Sequence, residues 1–575
     1  MTAWATIRRF GIAAAALAAF ASADPSAANA AVPFHIPAQW EADAEPTNPT
    51  PAPVAKPTPA QLRTRAAAAE KGGDWEAAFA AYCELYVADR AAIDVREKLN
   101  AALRRVQQTR RHRDPGFQQF VRSLPAGDAI NLFAETAAKV PGLFADPTRS
   151  TPQHLWANGV EELDRALGSA AFRQTYLDNP TPDKVEAFRK TLRGFWTKLS
   201  VADAREARAA LKRLIAAAQD AFAVRTPSVL VVEFVCGACS GLDEYTVYVT
   251  PDRAAVAPDP AADFGAHGLL VAFLDGGLMV EGVAPGSWAA FHTPLRRGDR
   301  IAKVNGRSME VGPAALAEAL RMPVGGFHEV EHVTPNPGLL GLVRFPLAVP
   351  TVYGDRMEST KDGIGYVRIS EFQASTPREF SEAVARLKLQ GLRALVLDLR
   401  GNHGGSFLAG VEVARRLLPA GLIVTTQGQL GQVAGQVFSS DSGMNALDVP
   451  LVVLIDTETA SAAEVVAAAL RDNNRAVLVG MPTFGKGTIQ YPLKLSAADD
   501  TYGTGTPRLQ SGTVRVTIAR LISPRGVPIN GAGVSPPPHL TEPDPVRQYH
   551  LAVEQALELL QPMMPRSPLP LPPSQ

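Results

Sequence analysis

The sequence predicts an α+β chain of several domains, and two observations carry that reading. Between residues 61 and 225, apolar residues recur at helical spacing in pieces about 94–109, 128–138, 156–178, 183–198 and 203–222, with breaks at Pro115, Pro125, Pro147, Pro180 and Pro182. Between 451 and 487, a short β-branched run, a helical run, a second short run and a glycine turn follow one another. That order is a crossover unit of an α/β layer. At 575 residues the chain has room for roughly three to five domains.

Composition excludes some functions. The 57 basic and 57 acidic side chains cancel, so nothing points to nucleic acid. Three cysteines give no disulfide framework. Ten histidines lack metal-ligand spacing, and there is no HExxH. No metal and no cofactor is implied.

Taken in order, residues 1–30 read as an export signal. Arg8 and Arg9 precede an apolar run from Gly11 to Phe20, and Ala21-Ser22-Ala23 and Ala28-Asn29-Ala30 are both small-x-small cleavage candidates. The run is short for a membrane span, and no other stretch could span a bilayer. The mature chain is therefore expected outside the cytoplasm, in the periplasm of a two-membrane cell, or membrane-associated if the signal stays uncleaved. Residues 31–60 form a proline-rich linker. Residues 61–225 form a helical N-terminal domain, opening with a hairpin around Gly72-Gly73-Asp74-Trp75. Arg104, Arg105, Arg110, Arg111 and Arg113 read as a solvated helix face. Residues 229–235 read as a strand, within a lead-in segment 226–262 of the following core. Cys236 and Cys239, without a second CxxC, read as a structural disulfide or as two buried thiols.

From 363 the α/β pattern resumes. Residues 364–370 read as a strand, and 376–390 as an amphipathic helix with a Thr376 cap and Pro377 in its first turn. Residues 395–399 read as a buried strand, and a glycine-rich turn over 400–405 follows, where backbone amides can face a ligand closely. Residues 451–455 are another buried strand. Thr459 or Ser461 could cap the helix over 465–471, with Glu464 as a capping-box carboxylate. A strand over 476–479 leads to the turn with Pro482, Gly485 and Gly487. A last strand over 514–520 and a helix over 546–561 precede a proline-rich tail, 562–575.

Ser461 and Lys486 could form a nucleophile–base pair. A serine at a first helical turn sits near amides that favour negative charge. A buried, neutral lysine could take its proton, because desolvation lowers an ammonium pKa. Spacing alone favours a plain helix cap over such a pair.

Thr459-Ala460-Ser461-Ala462-Ala463-Glu464, Arg471-Asp472, Arg475 to Gly480 and Thr483-Phe484-Gly485-Lys486-Gly487 together resemble the C-terminal processing (tail-specific) serine peptidases. The resemblance implies a ClpP/crotonase-like α/β protease core over 346–545. It makes Ser461 the nucleophile and Lys486 the general base. Gln490 would orient the lysine, and Asp472 would assist. Asp398-Leu399-Arg400-Gly401-Asn402-His403-Gly404-Gly405 matches the family's oxyanion stretch, with donors at Gly404 or Gly405 and at Ala462. His403 stands where the family commonly has proline, and Pro537 where its closing motif has aspartate.

Residues 263–345 resemble a PDZ domain of β-barrel-like form, most clearly over 295–306. The amides around Gly268, Leu269 and Leu270 would hold a peptide's terminal carboxylate. Leu269, Val271, Leu316 and Leu320 would line its groove. The implied protein is an exported serine endopeptidase with a Ser-Lys dyad that recognises the C-termini of protein or peptide substrates. By analogy, its helical arms are candidates for a homo-oligomer contact. Two alternatives remain open at this point. One is an inactive PDZ scaffold on the same fold; the other is an acyl-CoA enzyme of the related crotonase group.

Overall fold

The structure is a computed structural model that describes residues 57–561, apart from 90–91, 179, 252–263, 266, 275–276, 285–286, 311, 336–337, 360, 430–432, 442–445 and 497–510. The expected export signal, nearly all of the linker 31–60 and the tail 562–575 lie outside the described residues. No helix of the described residues is long and apolar enough to cross a membrane. The chain forms two compact units. One comprises Met1–Val349, Thr426–Gln436 and Thr488–Leu521; the other comprises Pro350–Thr425, Val437–Gly487 and Ile522–Gln575.

The first unit opens with helices α1 (Pro59–Gly72), α2 (Trp75–Ala88), α3 (Ile93–Arg113), α4 (Pro115–Ser123) and α5 (Ala126–Lys139). The expected hairpin is α1–α2, turned at Gly73. Then come α6 (Pro152–Gly168), α7 (Ala170–Tyr176), α8 (Pro182–Gly194), α9 (Ala204–Ala221) and α10 (Pro227–Ser240). The single helix expected over 156–178 is two, because Ser169 interrupts it and its hydroxyl caps α7 through the Phe172 amide. The strand expected over 229–235 is wrong: that run lies in α10. Every residue from Ser228 to Cys239 is buried, so the helix is surrounded by core and shows no polar stripe. Such a run cannot be told from a buried strand by periodicity. Cys236 and Cys239 are both unbridged and buried, so of the two readings offered for them the buried thiols hold. Burial pushes the Cys236 thiol up to about 12.

A polar node sits inside this apolar core. Arg111 Nε donates to Glu233 Oε1 at 2.7 Å and Arg111 Nη2 to Glu162 Oε1 at 3.4 Å. Gln108 Nε2 donates to both carboxylates, at 2.9 and 3.0 Å. His112 Nε2 lies 3.1 Å from Glu233 Oε1. Burial alone would push the Glu233 carboxyl up, but Arg111 and His112 outweigh it and hold it well below the usual range. The arginines expected on a solvated face therefore divide. Arg111 serves the core, while Arg110 is half exposed beside Glu76.

The same unit holds strands β1 (Val247–Val249), β2 (Leu269–Leu274), β3 (Gly277–Val283), β4 (Arg300–Val304), β5 (Arg307–Ser308), β6 (Phe327–Val333) and β7 (Leu340–Pro346), with helices α11 (Trp288–His292) and α12 (Pro313–Leu320). A sheet ordered β2-β3-β4-β6-β7 occupies the region 269–346, with β5 paired to β4 and β2 at one end.

In the second unit, β8 (Val352–Ser359), β9 (Ile364–Ile369), β10 (Ala394–Asp398), β13 (Leu451–Ile455) and β14 (Val477–Gly480) form a sheet ordered β14-β13-β10-β9-β8. The pairs β9–β10, β10–β13 and β13–β14 are parallel, and β8 runs antiparallel to β9. Every residue of β10 and β13 is buried, as strands covered on both faces require. Helices α13 (Thr376–Leu389), α14 (Phe407–Leu417) and α15 (Ala462–Asp472) lie between the strands in sequence, and β11 (Gly421–Gln427) and β12 (Val437–Ser440) between α14 and β13. The expected Thr376 cap is not one. Ser375 precedes α13 without a side-chain cap, and Thr376 Oγ1 instead accepts from the Gln373 amide at 2.8 Å. The final helix α16 (Pro545–Leu560) packs on the parallel strands. In the first unit again, β15 (Thr488–Lys494) and β1 both pair antiparallel with β16 (Thr513–Ile522).

Glu233→Ala should destabilise the first unit by about 3–5 kcal/mol, because Arg111 loses its short ion pair and keeps only the longer 3.4 Å contact with Glu162. The contribution of Glu233 comes from a lowered folded-state pKa. It is present above the unfolded carboxylate value of about 4.3 and fades as pH falls towards the folded one. Urea unfolding at pH 7 and at pH 3 should therefore give a smaller wild-type–variant gap at the lower pH.

Candidate active site

Three loops leave the carboxyl ends of three adjacent parallel strands. They are 399–406 after β10, 456–461 after β13 and 481–487 after β14. In parallel α/β sheets that edge is where ligands bind. All three loops belong to one unit.

The first loop is fixed by a buried ion cluster. Asp398 accepts from Arg400 Nη2 at 2.6 Å and from Tyr366 at 2.7 Å, and Arg368 Nη1 lies 3.1 Å away. Burial pushes the Asp398 carboxyl up, but Arg400 and Arg368 reverse that and hold it well below the usual range. Arg400 Nη1 donates to the Pro545 carbonyl at 2.7 Å, which ties the loop to α16. Beyond Arg400, Asn402 is fully buried. Its Nδ2 donates to the Ile369 carbonyl at 2.9 Å, and its Oδ1 accepts from the Gly404 amide at 2.8 Å.

The second loop is wound around Asp456. Its Oδ1 accepts from the amides of Gly401, Glu458 and Thr459 at 3.0, 3.0 and 2.9 Å. One carboxylate thereby orders two loops. The Ala460 amide donates to the Asn402 carbonyl at 2.9 Å, a second tie between them. Thr459 is no helix cap, since its hydroxyl is committed to the Leu399 carbonyl and to Asp456.

Ser461 then turns the chain into α15 with φ 56° and ψ −118°. A positive φ is uncommon for a residue with a Cβ, and it persists only where surrounding contacts impose it. A sharp strand-to-helix turn of this kind exposes a serine hydroxyl above a sheet. Gly404 (φ 99°) lies directly against it: a Cβ there would stand 2.7 Å from Ser461 Cβ and 3.0 Å from the Ala462 nitrogen.

The third loop carries Lys486, only 7% exposed. Glu464, fully buried in the first turn of α15, joins the two loops. Its Oε2 accepts from the Ser461 amide and from the Lys486 amide, each at 2.8 Å. One oxygen atom thus holds both amides within twice that distance of each other. On its other side the third loop is pressed against the 529–534 segment. A Cβ at Gly487 would stand 2.1 Å from the Asn530 nitrogen, so only glycine fits.

The expected residues fall out unevenly. Ser461, Ala462, Gly404, Gly405 and Lys486 gather around these loops. The amide of Gly404 is already committed to Asn402, which removes it as an oxyanion donor and leaves Gly405 from that pair of alternatives. The Ala462 amide, at the first helical position, has no intrahelical acceptor. Asp472 does not reach the site. It ends α15, eleven residues and about 16 Å along the axis from Ser461, and binds Arg471 Nε at 2.7 Å. Gln490 stands on β15, where Nε2 donates to Thr488 Oγ1 at 2.8 Å. In the region 269–346, Leu269 and Leu316 are at most 1% exposed and fill the interior, which corrects their groove assignment. The Gly268 amide donates to the Gly265 carbonyl at 2.8 Å, so it does not offer itself to a carboxylate. Leu270, Val271 and Leu320 stay half-buried.

Of two titratable groups in the loops, Glu458 was not singled out by its sequence context, while His403 stands where the family commonly has proline. Burial holds the His403 imidazole below its usual pKa, with Asp456 opposing and Lys486 reinforcing that shift. Burial, reinforced by the Asp456 carboxylate and opposed by Arg368, pushes Glu458 up to about 8. A carboxyl raised on folding favours the folded state below its unfolded pKa, and that contribution is lost as pH climbs to the folded value. Glu458→Gln should therefore flatten the fall in stability between about pH 4.5 and pH 8, read from melting temperatures across that range.

Residues 363–538 match the model of peptidase family S41. The chain is 34% identical over 315 residues to the chloroplastic C-terminal processing peptidase of Tetradesmus obliquus, covering 51% of this chain and 64% of that one. It is 39% identical over 180 residues to the carboxyl-terminal-processing protease of Synechocystis sp., covering 31% and 38%. It thus spans less than two thirds of the length of these relatives. The solved photosystem II D1 C-terminal processing protease aligns at 25% identity and a TM-score of 0.35, over 68% of this chain and 95% of that one. Residues 363–538 are accordingly similar to peptidase family S41, and C-terminal processing peptidases are among the proteins the chain resembles.

Proposed function

We propose that the protein is an exported serine endopeptidase in which Ser461 and Lys486 form the catalytic dyad. The observation that carries this is the shared Glu464 oxygen, which ties the amide of a strained serine to the amide of a buried lysine. Ser461 Oγ attacks a peptide carbonyl while Lys486 Nζ takes its proton. The tetrahedral oxyanion faces the amides of Ala462 and Gly405. Lys486 returns the proton to the leaving amine, and the acyl-enzyme is released by a water that Lys486 activates. Burial suits the lysine to this task, because desolvation disfavours an ammonium ion. Asp472 has no role in the dyad.

The region 263–345 acts as a PDZ domain that captures the C-terminus of a protein or peptide substrate. The place of β2 at one end of its sheet supports this, because an end strand can add a peptide strand. The half-buried Leu270, Val271 and Leu320 contribute the apolar contacts. The inactive-scaffold alternative has no observation in its favour, since both members of the dyad are present.

Ser461→Ala and Lys486→Ala should each lower kcat on an unfolded protein substrate by about 10³-fold or more. Turnover within tenfold of wild type in either would refute the dyad. A peptide whose terminal carboxylate is amidated should show a KM about tenfold higher with kcat little changed, the equivalent of roughly 1.4 kcal/mol of binding. Equal KM values would remove the C-terminus from recognition.

A further inference from the structure

Glu464 makes more bonds than a helix cap needs. Besides the amides of Ser461 and Lys486, its carboxylate accepts from the Gly485 amide at 2.6 Å and from the Thr483 hydroxyl. Thr483 Oγ1 accepts in turn from the Val534 amide at 2.7 Å, and the Thr483 amide donates to the Val534 carbonyl at 3.0 Å. Glu464 is wholly buried, so no solvent competes for these bonds. Four donors converge on two oxygens, which is the full acceptor capacity of an ionised carboxylate. A protonated carboxyl would turn one acceptor into a donor facing donors. Burial pushes this group up, while the Thr483 hydroxyl and the three amides oppose the shift.

The donors come from two directions. Ser461 belongs to the nucleophile's own turn, three residues back. Thr483, Gly485 and Lys486 come from the loop after β14, about twenty residues on. Two more bonds run alongside: the Phe484 amide to the Thr459 carbonyl at 2.9 Å, and the Gly531 amide to the Gly485 carbonyl at 2.8 Å. The loop that bears the base is thus held between the nucleophile turn and the 529–534 segment, and Glu464 is the side chain at the junction.

We infer that Glu464 is a positioning residue for the proposed peptidase reaction: as a buried anion it locks the lysine loop to the serine turn and, through its charge, sets the proton affinity of the Lys486 amine. Thr483 is its partner in this, passing the lock on to Val534. The inference rests on the Ser461–Lys486 dyad proposed above. It assigns Glu464 no contact with substrate. A negative charge beside the lysine loop favours the ammonium form. Removing the charge therefore lowers the pH at which the lysine becomes a competent base, while loosening the geometry that makes the base useful.

Glu464→Gln keeps the shape but replaces one acceptor oxygen with a donor that faces other donors. The expected result is a fall in kcat of about 10²-fold with KM within about twofold, because alignment of the reacting groups is lost rather than substrate contact. Serine labelling by a fluorophosphonate should slow in parallel. The limb of the kcat/KM–pH profile on which activity rises with pH should move to lower pH. A role confined to stability would lower the melting temperature but leave that limb in place. Thr483→Val, which removes one donor without adding any, should slow labelling about tenfold, and it decides the matter if Glu464→Gln does not fold. Wild-type labelling rate and an unmoved pH limb in a folded Glu464→Gln, or wild-type labelling in Thr483→Val, would overturn the inference. If Ser461→Ala and Lys486→Ala are inactive while these variants match wild type, only the role of Glu464 falls. If Ser461→Ala still cleaves, the dyad falls and this role with it.

Discussion

One carboxylate oxygen accepting two amides, those of Ser461 and Lys486, is the constraint on which the site depends. The two residues are 25 positions apart, and α15 and β14 lie between them. The parallel sheet does the coarse work. It places the ends of β10, β13 and β14 side by side, so their loops emerge at one edge. That brings residues into a neighbourhood but fixes no dihedral angle. The fine work is done by three polar side chains, the half-buried Asp456 and the buried Asn402 and Glu464. Asp456 joins the β10 and β13 loops through the Gly401 amide, Asn402 orders the glycine turn, and Glu464 joins the β13 and β14 loops.

Buried charge is used in two different ways in this chain. At Asp398 and at Glu233 the carboxylate meets cationic side chains, Arg400 and Arg368 at the first and Arg111 and His112 at the second, which hold both carboxyls below the usual range. Such pairs contribute little net stability compared with an apolar replacement, but losing one partner costs about 3–5 kcal/mol. They therefore act as locks on geometry: Arg111 and Gln108 join α3 to α6 and α10, and Arg400 joins the glycine loop to α16. Glu464 has no guanidinium. It is met by amides and a hydroxyl, and burial prevails enough to raise its carboxyl. An anion held by dipoles keeps its field, whereas one held by an arginine is largely cancelled. The first arrangement can act electrically on a neighbouring lysine and the second cannot.

What could be read from the sequence followed from how local each signal is. The runs at 395–399 and 451–455 were legible as strands because they are short, mostly apolar and bounded by turn residues. Ser461 and Lys486 were legible because their motifs are contiguous. Val229–Val235 misled because a helix buried on every side loses its amphipathic period, although Pro227 at its first turn was a helix signal. Asp472 misled because a motif gives order along the chain and not distance through space; the rise of α15 carries it to the far end of the helix. Leu269 with Val271 at strand spacing and Leu316 with Leu320 at helical spacing suit a groove, but Leu269 and Leu316 are buried, and the same spacings serve a domain interior. For Glu464, the capping-box spacing revealed the bond back to Ser461. The forward bonds to Thr483, Gly485 and Lys486 depend on the crossover and have no short-range signature.

The strain at Ser461 shows why so many bonds are concentrated here. A residue with a Cβ held in a sparsely populated region costs about 1–3 kcal/mol. A hydrogen bond to a charged group contributes about 1.5–3 kcal/mol. One bond from the Ser461 amide would therefore roughly balance the strain and leave the turn free to relax into an ordinary helical start. Three further donors on the same carboxylate shift that balance, because relaxing Ser461 would also pull on Gly485, Lys486 and Thr483. Gly404 closes the remaining exit. Its Cα lies against Ser461 Cβ with no room for even a methyl group between them, so the serine cannot swing towards the glycine turn. A nucleophile held out of a relaxed conformation by groups that also position its base keeps the two aligned, because neither loop can move without breaking bonds made by the other.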